Sequence, residues 1–291
     1  MTASTVEQRG GSTGRVRPPY SLATEVRRQA SRPRTRIALG FMVVLPLIIL
    51  LAFEFGGDGE EAPTGGGAFT SLVDLATTGG VNFALFTLLV SSSFLLVVVA
   101  ALFFGDTVAS EASWGTLRYL LAIPVPRTRL LGVKLVAALL STALALILLV
   151  GTALLAGTLR YGWEPLRSTV ADELDPVAGL VRVAAATGYI AVTLLTVAML
   201  AFLLSVTTDA PLGAVGGAVL LYILSSILDQ IDALGVVRNF LPTHFNDAWV
   251  GLLSTPIQWD AMIRGTISAL VYATVFGTLA FWRFLRKDVV S

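Results

Sequence analysis

The amino-acid sequence predicts an all-α membrane protein with six transmembrane helices, and three observations lead to this fold class. Apolar residues make up 55% of the 291-residue chain and charged residues only 13%, with a mean hydropathy of +0.80. This composition is too apolar for a soluble domain of the same length. About six apolar runs are long enough to cross roughly 30 Å of hydrocarbon as helices. The segments that flank these runs alternate between the two sides of the membrane, and basic residues are concentrated on one side, as the positive-inside rule requires.

None of the apolar runs has a charged residue in its middle. The first run is expected to be retained, because it follows a long N-terminal segment and ends in FEFGGDGEE without a small-x-small cleavage site. Only TTDAP joins the fourth and fifth runs, so these two helices are predicted to be antiparallel neighbours. The six predicted spans lie near residues 37–55, 81–104, 131–156, 183–206, 212–228 and 266–284.

Charge counts predict the orientation of the chain. Fifteen of the 20 Lys and Arg residues lie in the N-terminal segment, in the long second connection with its junction, and at the C-terminal end. The opposite side carries the remaining five together with thirteen of the 19 acidic residues. The positive-inside rule therefore predicts a multi-pass protein of the cell (inner) membrane with both termini in the cytoplasm.

Three segments divide the chain. Residues 1–19 lack apolar periodicity and are expected to be disordered. Residues 20–36 place Leu22 and Val26 four apart with arginines on the other face, which predicts an amphipathic basic helix at the membrane interface. A plain polybasic anchor is the alternative. Residues 37–291 form the predicted six-helix transmembrane domain.

Several kinds of chemistry are not expected in this chain. It has no cysteine and a single histidine, His244, so no catalytic or metal-binding residue is predicted. No GxxxxGK[ST] loop is present, so the chain is not expected to bind a nucleotide in that way or to be an enzyme. Mid-membrane charges, which ion-coupled carriers require, are also missing. If the protein moves a substrate uphill, another polypeptide supplies the energy.

Two further patterns are open to more than one interpretation. Gly213 and Gly217 are four apart and form a candidate helix-packing face, although small residues are common throughout these runs. Ser91, Ser92 and Ser93 either line a polar path or hydrogen-bond to their own backbone.

The connection at 229–264 contains FLPTHFNDAWVGLLSTPIQW, whose many apolar residues predict short helices at the outer interface.

The second connection is unusually long for a simple turn. Its residues 111–134 read EASWGTLRYLLAIPVPRTRLLGVK. Asp106 or Thr107 is a candidate cap for a helix that runs to about Ala122, before Pro124. On such a helix one stripe is polar and a neighbouring stripe is apolar, which predicts an element lying along the cytoplasmic interface. The polar stripe is Glu111, Gly115 and Arg118, and the apolar stripe is Trp114, Leu117 and Leu121.

This stretch resembles the cytoplasmic loop in the membrane subunits of type-2 ABC exporters. The pattern there is an acid, then Gly-Thr-Leu-Arg, two leucines, Pro-Val-x-Arg, and a Lys that opens the next helix, and this sequence follows it. The basic N-terminal helix, the six spans, LPTHFNDAW and the basic tail FLRKD extend the resemblance over nearly everything after residue 20.

The resemblance implies that the stretch is a coupling helix between the second and third spans. It would contact a separate ATP-binding cassette ATPase subunit, which holds the ATP and magnesium, while this chain needs no cofactor. A second copy, or a homologous permease, would complete the path. The expected ATPase-coupling residues, to which Trp114 is added from the apolar stripe, are Glu111, Trp114, Gly115, Thr116, Leu117, Arg118, Pro124, Arg127 and Lys134.

The expected function is therefore that of a permease subunit of an ABC exporter, with membrane lipid and the ATPase as partners and no nucleic acid. The alternatives are a non-transporting membrane scaffold or sensor and, less favoured, an ion-driven carrier. Glu111 and Arg118 lie outside the spanning runs. Substituting either is expected to leave insertion intact, and each is expected to pair mainly with neighbouring elements. The sequence does not indicate the substrate.

Overall fold

A computed structural model describes residues 21–55, 67–115, 125–167 and 173–286. The predicted disordered tail at 1–19 lies outside these ranges. The described chain is helical, and its only β contact is an isolated antiparallel bridge between Leu166 and Leu174. Its helices are α1 (Leu22–Ser31), α2 (Pro33–Phe55), α3 (Gly67–Ala76), α4 (Gly80–Ser92), α5 (Leu95–Ser113), α6 (Arg127–Tyr161), α7 (Pro176–Thr207), α8 (Pro211–Asp229) and α9 (Asp260–Leu285), with 3-10 segments at Asp232–Phe240 and Asn246–Leu253.

Within the described ranges, six helices are long and apolar enough to cross a membrane: α2, α5, α6, α7, α8 and α9. The protein is therefore a multi-pass membrane protein, and the predicted number of spans is confirmed. The 35-residue helix α6 is about 52 Å long at 1.5 Å per residue. It extends well beyond the roughly 30 Å of hydrocarbon.

The prediction that the second span is one continuous helix is wrong. Residues 81–104 do not form one helix, because α4 ends at Ser92 and α5 begins at Leu95. Phe94 leaves the helical conformation (φ −135°, ψ −57°), and the Ser92 hydroxyl donates to the Leu89 carbonyl (3.1 Å). Serine hydroxyls that bond to nearby backbone offer the chain an alternative to the helical ladder.

The predicted interface helix at 20–36 is also interrupted. Helix α1 is capped by Ser21, whose hydroxyl accepts from the Thr24 N–H (3.3 Å), and it ends at Ser31. Arg32 is extended (φ −69°, ψ 131°), and α2 starts at Pro33. Proline disfavours the helical conformation for the residue before it and is well suited to the first position of a helix.

Helix α7 lies at the centre of the bundle, where it packs most extensively on α9 and α5. It turns into α8 through three residues, 208–210, and the two helices pack together as predicted. The apolar part of α5 is 78% buried inside the protein, whereas only 17% of the apolar parts of α2 and α8 and 22% of that of α9 is buried. These exposed apolar faces suit lipid or another membrane chain.

Glycine permits close helix approaches at two places. A Cβ at Gly80 on α4 would lie 2.4 Å from the Thr158 hydroxyl on α6, and one at Gly105 on α5 would lie 2.7 Å from Val215 on α8. The candidate packing glycines have looser surroundings. A Cβ at Gly213 would meet only the hairpin, at 3.6 Å, and one at Gly217 would meet Leu204 of α7 at 3.2 Å.

The two ends of the bundle differ in charge. The basic end contains α1, the α7–α8 hairpin and the end of α9, together with most of the arginines. The acidic end contains α3 and the two 3-10 segments, which confirm short helices in the connection at 229–264. Both ends of the described chain lie at the basic end, since α1 packs on α6 and Arg127 donates to the Leu285 carbonyl (3.2 Å).

Candidate coupling site at the basic end

The last two turns of α5 are polar and buried. The helix begins as LLVVVAALFF and changes character after Gly105, where Asp106, Thr107, Ser110 and Glu111 follow. All four side chains are buried. Buried charges and hydroxyls require partners, and neighbouring helices supply them here.

The Glu111 carboxylate lies at the centre of a cluster of four charged residues, of which Glu25, Glu111 and Lys134 are buried and Arg28 is partly exposed. Lys134 on α6 donates through its ammonium to Glu111 Oε1, to Glu25 Oε1 on α1 (3.1 Å) and to the Thr107 carbonyl (3.2 Å). An ammonium has three donors, so this lysine is fully satisfied. Arg28 on α1 reaches the same Glu111 oxygen at 2.8 Å.

We call Glu25, Arg28, Glu111 and Lys134 the charge cluster. Its two carboxylates and two cations sum to no net charge. Glu111 is 0% exposed and Lys134 is 1% exposed, a burial that an unpaired charge would not tolerate. The cluster joins α1, α5 and α6, three elements that are distant in sequence.

A second set of ion pairs lies one turn earlier on α5. Asp106 receives Arg32 Nη1 at 2.7 Å and Arg34 Nη1 at 2.9 Å. Each arginine meets a different carboxylate oxygen. The residue that follows α1 and the first turn of α2 are thereby attached to α5.

Helix α7 is attached to the same two turns by a serine. The Ser205 hydroxyl accepts from the backbone N–H groups of Val108 and Ala109, each at 3.0 Å. Ser205 is itself fully buried. The end of α5 is therefore held by α1, α2, α6 and α7 just before the connection to α6.

The prediction of a coupling helix is wrong within the described residues. No new helix starts at Asp106 or Thr107, and the helix that contains them ends before Gly115. Asp106 and Thr107 do not cap a new helix, because they lie inside α5, which continues to Ser113. Gly115 has φ +67°, a left-handed conformation typical of the glycine just after a helix end. Glu111 and Gly115 therefore do not share one continuous helical face, and Arg118 of the predicted stripe lies outside the described residues.

The structure places the predicted coupling residues in different surroundings. Trp114 is 65% exposed at the end of α5. Arg127 begins α6 and donates to the end of α9, whereas Lys134 is buried in α6. The others, Thr116, Leu117, Arg118 and Pro124, lie outside the described residues.

The expectation that Glu111 behaves as a surface residue is wrong. The charge pattern of the sequence suggested an exposed position, but this side chain is fully enclosed. The expectation that it pairs mainly with neighbouring elements is confirmed, because its partners lie on α1 and α6.

Sequence reasoning missed Glu25 and Arg28. The predicted apolar pair of α1 is not its buried face: Leu22 is exposed and Val26 half-buried, while Glu25 and Gln29 face the protein. The sequence signal for this buried face was Glu25, a lone acid among arginines that lies four residues before Gln29.

Sequence comparison finds one family match, which covers the chain from α3 to α9. A protein-family profile, DUF2705, matches residues 67–290, well over half of the chain. The chain belongs to the DUF2705 family of proteins of unknown function. No curated protein matches the sequence.

The DUF2705 match includes Asp106, Glu111 and Lys134 but begins after α1 and α2. The charge cluster of this DUF2705 protein therefore joins two residues of the matched segment to Glu25 and Arg28, which precede it.

Proposed function

We propose that this DUF2705 protein is the membrane subunit of an ABC exporter, located in the cell membrane with its basic end in the cytoplasm. A separate ATPase would dock on the connection at 114–126 and on the surface around it. The charge cluster carries this proposal, because it ties three helices together immediately before that connection.

The cluster suits the transmission of force. A movement of the connection would displace the end of α5, and the cluster couples that end to α1 and α6. Sliding one helix alone would separate buried charges, and breaking a buried pair is worth about 3–5 kcal/mol. The helices at the basic end would therefore move as a unit.

The surface charge supports the proposed orientation. Exposed basic side chains surround the basic end, and each contributes about 1 kcal/mol near an anionic leaflet. The positive-inside rule gives the same orientation. These exposed residues include Arg27, Arg34, Arg36, Arg129, Arg283 and Arg286.

The exposed helices support a paired permease. Few residues of α2, α8 and α9 are buried within the described chain, and a second copy or a homologous permease would cover part of their remaining apolar surface. The path for the substrate would then lie between two membrane subunits.

The decisive experiment starts from the full-length chain purified from its native membrane with any P-loop ATPase bound to it. We expect the chain alone to hydrolyse no ATP, and the reconstituted complex to hydrolyse ATP. A cysteine introduced at exposed Thr128, at the start of α6, is expected to cross-link to the ATPase.

Three outcomes would contradict the proposal. Hydrolysis by the isolated chain would remove the need for a separate ATPase. Assembly without ATP-dependent transport would favour a scaffold or sensor, and transport driven by an ion gradient alone would favour a secondary carrier.

A further inference from the structure

A cavity of about 250 Å³ lies at the acidic end of the bundle. It is lined by the break between α4 and α5, the middle of α7, the end of α8 and the segment at 243–247. We call it the acidic pocket, and its polar lining includes Ser92, Thr193, Tyr222, Ser226, Asp229 and Asp247.

We propose that the acidic pocket binds a small organic amine in its protonated, ammonium form. This site is separate from the charge cluster at the basic end. Binding to it requires neither ATP nor a partner subunit.

The charge around the pocket is net negative. Asp229 and Asp247 both line it. Arg238 lies 3.6 Å from Asp229 Oδ1 but donates to Asp232, so one guanidinium serves two carboxylates. His244 Nδ1 is 2.6 Å from the same Asp229 oxygen. Three carboxylates thus face one arginine and one histidine, and the sum stays negative even with the histidine protonated.

Asp247 is the carboxylate that lacks a counter-charge. In the described part of the chain it accepts no hydrogen bond and forms no ion pair. Its side chain lines the pocket but is exposed, and partial burial together with the nearby charge of Asp229 raises its pKa. Both effects disfavour its ionised form, and the positive charge of a bound cation would offset them.

Three hydroxyl groups of the lining are oriented as acceptors. Ser92 donates to the Leu89 carbonyl, Thr193 to that of Ile190 and Ser226 to that of Tyr222. Each hydroxyl hydrogen is used within its own helix, so the oxygen lone pairs remain for a ligand. Tyr222 also accepts from Asn246 Nδ2 (2.7 Å).

An ammonium group matches this lining because it has three donors and no acceptor. An anion would face carboxylates and lone pairs. A metal ion fits less well, because no group of three or more His, Cys, Asp or Glu side chains in the described residues is arranged to hold one. Ile190 and Leu194 also line the pocket, so the amine carries a short apolar part.

The broken helix is independent support for a polar cavity. Residues 93–94 separate α4 from α5 inside an apolar run. Irregular backbone at membrane depth is tolerated where it is buried in protein or lines a water-filled cavity, and Ser92 and Ser93 line this one. Broken helices in other membrane proteins form ligand sites in the same way.

The test uses the full-length chain in lipid nanodiscs and isothermal titration with n-butylammonium. Two probes of similar shape, n-butanol and butyrate, control for apolar and anionic binding. We expect saturable binding of the ammonium and none of the other two. Asp247→Asn is expected to weaken it about tenfold or more, a change of one decade in Kd.

A matched control separates the pocket from the general charge of this end. Asp74→Asn removes an exposed carboxylate on α3 that does not line the pocket, and it is expected to leave the Kd unchanged. Equal weakening by both variants, equal binding of n-butanol, or no saturable binding of the ammonium to the wild-type chain would each overturn the proposal. Thermal unfolding of each variant confirms that loss of binding is not loss of fold.

Discussion

Lys134 on α6 donates a hydrogen bond to Glu111 on α5, and both side chains are almost completely enclosed by protein. The pair lies at the junction of α1, α5 and α6, next to the connection proposed to receive the ATPase. The contribution of this pair to folding stability is the first prediction to test.

Lys134→Met is expected to destabilise the folded protein by about 3–5 kcal/mol, because it leaves two buried carboxylates with only Arg28 as a cation. The double variant Glu111→Gln/Lys134→Met is expected to recover part of this loss. Thermal unfolding in detergent measures both. Arg129→Met, which removes an exposed cation from the same helix, is the control. If Lys134→Met unfolds like the control, the cluster does not stabilise the fold.

Trp114→Ala is expected to separate coupling from stability. Trp114 is exposed, so its truncation changes folding stability by less than about 0.5 kcal/mol. An interface tryptophan commonly contributes about 2 kcal/mol or more to binding, so ATPase affinity is expected to fall at least about tenfold. Trp259→Ala, exposed at the acidic end, is the control. Normal ATPase binding by Trp114→Ala would place the docking surface elsewhere.

The cysteine-free chain permits a direct test of orientation. Thr128→Cys at the basic end and Val236→Cys at the acidic end both introduce thiols at exposed positions. A membrane-impermeant maleimide is expected to label residue 128 only from the cytoplasm and residue 236 only from outside, because of the basic-residue asymmetry. The reverse pattern would invert the topology.

Two glycine substitutions are expected to have opposite effects. Gly80→Val places side-chain atoms against Thr158, where even a Cβ would come within 2.4 Å. Overpacking of this kind destabilises by about 1–3 kcal/mol. Gly151→Ala on α6 meets no heavy atom within 4 Å and is expected to stabilise by up to about 1 kcal/mol. Thermal midpoints of both variants test the α4–α6 contact; equal midpoints would show that the close approach is absent.

Asp247→Asn is expected to raise stability at neutral pH. The pKa of Asp247 is raised in the folded protein, so stability is full below the unfolded carboxyl pKa of about 3.9 and decreases as pH rises through the folded value. Solvent screening limits the gain to less than about 0.5 kcal/mol. Thermal midpoints at pH 7 and near pH 4 check this. A gain that persists at the lower pH would rule out ionisation as its cause.

The spanning helices could be predicted because their signal is local. A run such as the one in α6 contains its own evidence, since length and apolar composition suffice to identify a helix that crosses the membrane. The break between α1 and α2 could also have been predicted from Pro33 and the residue before it, Arg32, although the arginine pattern concealed it. Helix ends that depend on a proline or glycine are accessible to this reasoning.

The charge cluster could not be predicted because burial depends on distant partners. Glu111 and Lys134 are 23 residues apart, and Glu25 is 109 residues from Lys134. Each looks like a surface residue until the others are in place. The break at Phe94 was hidden for a different reason, because no glycine or proline marks it within VSSSFLLV.

Glu25 also constrains the order in which the protein is assembled. It is synthesised long before its partner on α6, and in the meantime Arg28, 3.7 Å away on the same helix, is the nearby cation. Helix α1 therefore completes its packing only after α5 and α6 have entered the membrane. A nascent chain stopped before Lys134 would hold α1 loosely, and insertion of α6 would fix α1 against the rest of the bundle.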